Sequence, residues 1–170
     1  SIGLNLHHPK GIEIAKRIIG WSDIVIEGFT PGTLKRLGLG YEDIKEIKPD
    51  IIMLSTTAYG QTGPFALLHS YGMMLTGAAG FHHLTGWPDR SSVETYGAYT
   101  DFIAPRFQVA AIMAALNYRR RTGKGQHLDL SQYEAGLHFL APLILDYIVN
   151  KKVTNRMGNR YPYASPHGVF

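Results

Sequence analysis

A parallel α/β fold is what this sequence predicts, and three observations carry the expectation. Short runs rich in β-branched and aliphatic residues recur at 23–29 (DIVIEGF), 51–55 (IIMLS) and 126–130 (QHLDL). The run at 51–55 is almost wholly apolar, as a strand covered on both faces is. Between the runs lie segments with helical spacing, and strands alternating with helices imply a parallel sheet with helices packed on it.

Taken in order, residues 1–6 alternate apolar with small or polar side chains and read as a first strand. Pro9 then opens a helical pattern through Ile12, Ile14, Ala15, Ile18 and Ile19. With the strand at 23–29, the first thirty residues read strand, helix, strand. Thr30 and Pro31 start a short helix at 33–37, a second follows at 41–47, and Pro49 and Asp50 close it before the strand at 51–55. GQTGP at 60–64 is a loop, equally suited to a tight turn or to close ligand approach. An apolar helical segment around 73–79 ends at Gly80, and 82–97, rich in Gly, Pro, Asp and Ser around Trp87, reads as a loop. Past the next helix, 126–130 forms a fourth strand. Ser131 and Glu134 are spaced as a capping box for a helix over 132–149. Residues 151–166 show little periodicity and read as a linker. There is no internal repeat.

The helix that organises the rest begins at Tyr99 and runs to the glycines at 123 and 125. Thr100 and Asp101 stand where an N-cap belongs, and Pro105 falls in the opening turns, where a missing N–H costs little. Arg119, Arg120, Arg121 and Lys124 crowd the far end, where the helix dipole favours cations. So few polar residues lie between that the helix is expected to be buried on most sides. Asp101 has two compatible roles. As a cap it contributes about 0.5–2 kcal/mol; as an ionised carboxylate in a glycine-rich neighbourhood it is a candidate nucleophile.

Bulk properties narrow the function. At 170 residues the chain can bury a domain-sized core, and its 45% apolar content fits a globular protein. No apolar run reaches the roughly 18 uncharged positions of a membrane helix, and no basic-then-apolar leader opens the chain. The absence of cysteine rules out disulfides, a thiolate nucleophile and a Cys-based zinc site, and suits a cytoplasmic setting. A net charge of +4 could attract an anionic, phosphate-bearing ligand. No nucleic-acid motif, GxGxxG fingerprint, P-loop or GxSxG elbow is present. The pairs His7–His8 and His82–His83 lack helical metal-ligand spacing, so no metal is expected. Open α/β sheets bind ligands at the carboxyl ends of their strands, which points to the loops at 29–32, 57–63 and 97–101. Arg36, on the short helix near the first of these, is either a solvated charge or part of an anion site.

Two long segments, DIVIEGFTPGTLKRLGLGYEDIKEIKPDIIMLSTTAYGQTGP and TDFIAPRFQVAAIMAALNYRRRTGKGQHLDLSQYEA, resemble the family III CoA-transferases, which include formyl-CoA transferase, carnitine CoA-transferase and α-methylacyl-CoA racemase. PGxLxRLGLGYE, the GQTGP loop, and an aspartate opening a helix that ends RRRTGKGQ stand in the family's order and spacing. The resemblance implies a Rossmann-like open parallel sheet, present here in part, and a pair of longer chains interlocked as a homodimer or heterodimer. It implies that residues 1–150 are part of the CoA-binding domain and that 151–170 lead to a second domain. A chain opening on an apparent strand and stopping at SPHGVF then reads as an internal piece, not active alone.

By the same resemblance Asp101 falls on the catalytic aspartate, Arg36 on an arginine that contacts coenzyme A, and Phe29 in the adjoining loop of the CoA site. The substrates implied are an acyl-CoA and a carboxylic acid, without metal. In the racemase branch a His-Asp pair follows the GQTGP loop, whereas here the stretch reads Ser70-Tyr71-Gly72, which disfavours proton exchange at an α-carbon. Transferases commonly carry Tyr-Asp or Tyr-Glu there, so Gly72 also removes a carboxylate. SQYEAGLHFLAPLILDY and GNRYPYASPHGVF are similar to the branch that activates aromatic succinates. The rival readings are an acyl-CoA racemase and a non-catalytic CoA-holding subunit, and the second has no need of Asp101.

Overall fold

A computed structural model describes residues 1–169. Phe170, the last residue of the segment expected to lead onward, lies outside the described residues. The elements are α1 (Pro9–Trp21), β1 (Ile24–Glu27), α2 (Thr33–Arg36), α3 (Tyr41–Ile47), β2 (Ile52–Thr57), α4 (Gly72–Ala78), α5 (Phe81–Leu84), α6 (Tyr99–Thr122), β3 (Gln126–Ser131), α7 (Gln132–Phe139) and α8 (Ala141–Asn150). The chain forms two compact units: Ser1–Leu68 with Pro105–Ser131, and His69–Ala104 with the chain from Gln132 onward. Helix α6 begins in the second unit and continues in the first from Pro105.

The first unit is an α/β layer built on an open three-stranded sheet of order β1-β2-β3, parallel throughout, as expected. Register pairs Val25 with Met53 and Met53 with His127, then Glu27 with Ser55 and Ser55 with Asp129. Because paired residues of neighbouring strands share a face, one face carries the row Val25, Met53 and His127, followed by the polar row Glu27, Ser55 and Asp129. Ile19 of α1, Ile44 of α3 and Leu39 close over Ile51 and the Met53 row. On the way from α6 to the sheet, Gln108 donates from Nε2 to Thr56 Oγ1 (2.8 Å), and the Arg119 guanidinium donates to the carbonyl and Oδ1 of Asp23 (3.1 and 3.0 Å). With neighbours on both edges, β2 holds Ile52 and Leu54 fully buried. The glycine before β3 has a steric cause, since a Cβ on Gly125 would overlap the Ile51 carbonyl.

Several expectations are corrected. Residues 1–6 are not a strand: 1–5 have no regular structure, although Leu6 packs on the core of the first unit. Alternation reports which side chains face inward, and a strand needs a ladder partner as well. The loop at 82–97 is entered by the short helix α5, and the helix expected over 132–149 is divided at Leu140. Pro142, in the first turn of α8, has no N–H for the carbonyl four residues earlier, and its ring crowds that carbonyl.

Helix α6 is not buried on most sides. Ile103, Ala104 and Ala115 are buried, whereas Phe102, Val109 and Met113 are more than half exposed on other faces. Nor does Asp101 cap it: the helix starts at Tyr99, which makes Asp101 its third residue. Pro105 lies seventh, beyond the opening turn, and removes the N–H that would reach the Asp101 carbonyl.

Leu54→Ala leaves a void at a fully buried site and should lower the unfolding free energy by about 2–5 kcal/mol, read from the urea midpoint. Asp50 supplies a pH-dependent part of the stability. Its hydrogen-bonded partner Lys48, 3.0 Å away, holds the carboxyl below its ordinary value, with Arg119 adding to the effect. A lowered folded value means that this stabilisation is present above the unfolded pKa of about 3.9 and is lost as pH falls through the folded value. Asp50→Asn should remove that component of acid unfolding, about 0–1 kcal/mol for so exposed a pair, while the acid limbs of wild type and variant converge.

Candidate active site

The second unit holds Asp101 through its neighbours in the helix. Tyr99 joins an aromatic cluster with Phe81 and Phe139, ring centroids 5.3 and 6.1 Å away and edge-on to it. Thr100 is fully buried. Its hydroxyl donates to the Gly72 carbonyl (3.2 Å), and its backbone N–H, an orphan of the helix start, donates to Thr76 Oγ1 (3.3 Å). The Thr76 hydroxyl in turn donates to the same Gly72 carbonyl (2.7 Å). Two hydroxyls from α4 and α6 thus converge on one oxygen. The N–H of Asp101 goes to the Ala98 carbonyl at 2.9 Å, so these first-turn donors are met without the Asp101 carboxylate. That carboxylate is exposed and lies directly over Gly72: a Cβ built there would stand 2.5 Å from Oδ2 and 2.7 Å from Cγ.

The first unit holds Arg36 and Phe29. Arg36 ends α2, and its Nη2 donates to Thr33 Oγ1 one turn earlier (2.9 Å). Phe29 follows β1 with its ring 48% exposed, available to stack on a ligand. Its backbone N–H donates to Glu27 Oε2 at 2.8 Å, while Glu27 Oε1 accepts from Gln61 Nε2 at 3.4 Å. The Gln61 N–H donates to both oxygens of Asp129 at 3.0 Å. Buried Glu27 therefore joins the Phe29 loop to the GQTGP loop, and Asp129 fastens the latter to β3. Two of the loops expected at the carboxyl ends of strands are in this way tied to each other.

Beside them opens a cavity of about 440 Å³, lined among others by Glu27, Thr33, Tyr41, Ser55, Gln61 and His127. Ser55 Oγ and His127 Nε2 are 2.9 Å apart, and the His127 ring stacks on Tyr41 with centroids 5.2 Å apart. Burial, and secondarily Glu42, pushes the Tyr41 phenol above its ordinary value. Among the described residues no group of three or more His, Asp or Glu side chains could hold a metal ion, and no helix is long and apolar enough to cross a membrane.

A model of CoA-transferase family III matches residues 1–170. The chain belongs to that family. Among curated relatives, the beta subunit of succinyl-CoA–L-malate CoA-transferase from Chloroflexus aurantiacus is 36% identical over all of this chain and 42% of its own length. Succinyl-CoA:glutarate CoA-transferase of Mus musculus is also 36% identical, over all of this chain and 39% of its own. This family III chain therefore spans about two fifths of the length of these relatives. A crystal structure of a CaiB/BaiF family protein from Brucella suis superposes with a TM-score of 0.93 at 38% identity, covering 99% of this chain and 44% of that one. The Rossmann-like α/β layer is thus a family feature.

Of the residues singled out from the sequence, Arg36 and Phe29 fall in one compact unit and Asp101 in the other. Sequence reasoning missed Glu27, Gln61, Asp129, Thr76 and the contact of Gly72 with Asp101. A glutamate closing an otherwise apolar strand was the one available signal for Glu27. Thr76 looks like any hydroxyl in an apolar helix.

Thr76→Val keeps the shape of the side chain but strands the Thr100 N–H, so a loss of about 1–3 kcal/mol should appear in denaturant unfolding. Glu27→Ala removes the acceptor of the Phe29 N–H and the Gln61 amide. A similar loss of about 1–3 kcal/mol should accompany faster proteolysis within residues 57–63.

Proposed function

We propose that the enzyme to which this chain belongs transfers coenzyme A from an acyl-CoA to a carboxylic acid, with Asp101 as covalent nucleophile. The observation that carries the reading is Asp101 itself: an exposed carboxylate on a helix turn anchored by buried Thr100 and half-buried Tyr99, at the position that the sequence resemblance assigns to the catalytic aspartate. Pre-set orientation of this kind is what covalent catalysis by a weak nucleophile requires.

In the sequence of steps, a carboxylate oxygen of Asp101 attacks the thioester carbonyl carbon, the C–S bond breaks, and CoA leaves as thiolate from an acyl–aspartyl anhydride. The thiolate attacks the aspartyl carbonyl, which releases the donor acid and leaves an aspartyl-CoA thioester. The acceptor carboxylate then attacks that thioester carbonyl and expels the thiolate, leaving a second mixed anhydride. The thiolate attacks the acceptor's acyl carbon, and the product acyl-CoA departs with Asp101 restored as carboxylate. No metal or redox partner enters the balance.

Arg36, with guanidinium donors near the start of α2, is read as a contact for an anionic group of CoA, and Phe29 as an apolar surface beside it. The two relatives described above are named for succinyl-CoA with L-malate or glutarate, which supports a dicarboxylic acid as acceptor. Within that class an aromatic succinate fits the similarity of the segments at 131–147 and 158–170. Residues 1–150 are assigned to the CoA-binding domain and 151–170 to a connection towards a second one. The whole enzyme is read as two interlocked chains, alike or different, working in the cytoplasm. Val109 and Met113 of α6, each more than half exposed, supply an apolar surface for further chain to cover.

The test is mass analysis of the full-length enzyme incubated with succinyl-CoA and other thioesters. An adduct on the Asp101 peptide is expected, absent in Asp101→Asn, with kcat down at least about 10³-fold. Arg36→Ala should instead raise KM for acyl-CoA about tenfold, equivalent to about 1.4 kcal/mol. Thioester binding without adduct, together with exchange of the α-proton into deuterated solvent, would replace the transferase reading with racemisation.

A further inference from the structure

Thr76 puts a hydroxyl where α4 is closed to solvent: it is fully buried, next to buried Leu75 in the same helix. A hydroxyl taken out of water adds little net stability even when well bonded, so its consequence lies in the geometry it imposes. It donates to the Gly72 carbonyl at 2.7 Å and accepts the Thr100 N–H at 3.3 Å, and the Thr100 hydroxyl meets the same carbonyl at 3.2 Å. One hydroxyl thus serves as donor within α4 and as acceptor for α6. Neither valine nor alanine can do either.

We infer that Thr76 is a positioning residue for Asp101, acting through the Thr100 amide. The inference rests on the reading of Asp101 as nucleophile and adds to it a determinant on a different helix. Two physical effects converge. The first is attachment: Pro105 withholds the N–H that would tie the Asp101 carbonyl to the following turn, so the opening turn of α6 is placed by α4 and by the rings of Phe81 and Phe139. Thr76 supplies the acceptor of that attachment one residue from Asp101. The second is competition. An acidic side chain at the third position of a helix is placed to reach back to first-turn amides, as in a capping box. With the Thr100 N–H bonded to Thr76 and the Asp101 N–H to the Ala98 carbonyl, these two amides make no claim on the carboxylate. A hydroxyl on α4 therefore fixes where the turn lies and leaves its carboxylate available to a thioester.

The deciding comparison is Thr76→Val with Thr76→Ser in the full-length enzyme, assayed with succinyl-CoA below the melting temperature of every variant. Valine keeps the shape and loses both hydrogen bonds; serine keeps both and loses only a methyl group. Leu54→Ala, at a fully buried site of the first unit, is the reference for lost stability without lost placement. Misplacing oriented reacting atoms by about 1 Å can reduce a rate about 100-fold. For Thr76→Val the expected result is kcat and the rate of Asp101 adduct formation lower by about 10- to 100-fold. KM for the acyl-CoA stays within about twofold, because Arg36 and Phe29 belong to the other unit. Thr76→Ser and Leu54→Ala are expected to keep both rates within about twofold of wild type.

Wild-type rates in Thr76→Val would overturn the positioning role while leaving the nucleophile reading intact. A loss in Thr76→Ser as large as in Thr76→Val would overturn it too, by assigning the effect to packing of the methyl group, and a parallel loss in Leu54→Ala would do so by assigning it to stability. A Thr76→Val chain that does not fold, beside a folded Thr76→Ser, would make the hydroxyl a requirement of folding alone. KM raised in step with the fall in kcat/KM would count against the role by assigning the loss to binding. Wild-type enzyme that forms no Asp101 adduct at all would remove the reading on which the inference stands.

Discussion

A helix start leaves backbone N–H groups without partners inside the helix, and the way α6 meets that demand determines where its carboxylate can be. The Thr100 N–H goes to a hydroxyl of another helix, Thr76, and that hydroxyl is held by the Gly72 carbonyl. An aspartate that caps its own helix spends its oxygens on amides. Because buried hydroxyls and the Ala98 carbonyl do this work instead, the Asp101 carboxylate stays exposed. The arrangement is strict because both hydroxyls are enclosed, where an unmet polar group costs more than a met one gains.

The first unit handles polarity differently. Its first two strands place the apolar Val25 and Met53 in one register row, which His127 completes, and all three place polar residues in the row of Glu27, Ser55 and Asp129. Glu27, the last residue of β1, and Asp129, within β3, place carboxylates on one face, and each receives amide donors from the loops beyond the strand ends. The sheet thus organises its own rim: carboxylates carried on its strands are the anchors of the loops. A loop held to the strand in this way can present a stacking ring such as Phe29 with little loss of entropy when a ligand arrives.

Much of this was legible in the sequence. The parallel α/β class followed from the run at 51–55 and its flanking helices, because a strand buried on both faces has to be apolar throughout. Family membership followed from the GQTGP loop and from an aspartate placed ahead of RRRTGKGQ. Other features were not legible, for a common reason: periodicity describes a segment alone, and a contact needs two. Residues 1–6 alternate but find no ladder, and the apolar faces of α6 are only partly covered by this chain. Asp101 and Thr100 matched a cap pattern, and the partner that displaced it, Thr76, lies 24 residues upstream. Gly72 could be seen as a missing carboxylate; that its vacancy is filled by Asp101 is a fact of three dimensions.

Pro105 brings out one more property of the helix that carries Asp101. It withholds the rung that would tie the Asp101 carbonyl to the body of α6, so the opening turn leans on α4 and on the ring of Phe139 more than on the twenty residues behind it. The two stretches of α6 are therefore free to drift apart in their tolerance of change. The long basic stretch can exchange surface residues with little consequence for the turn that bears Asp101, while small alterations at Thr76, Phe81 or Phe139, none of which is on the helix, act on that turn directly.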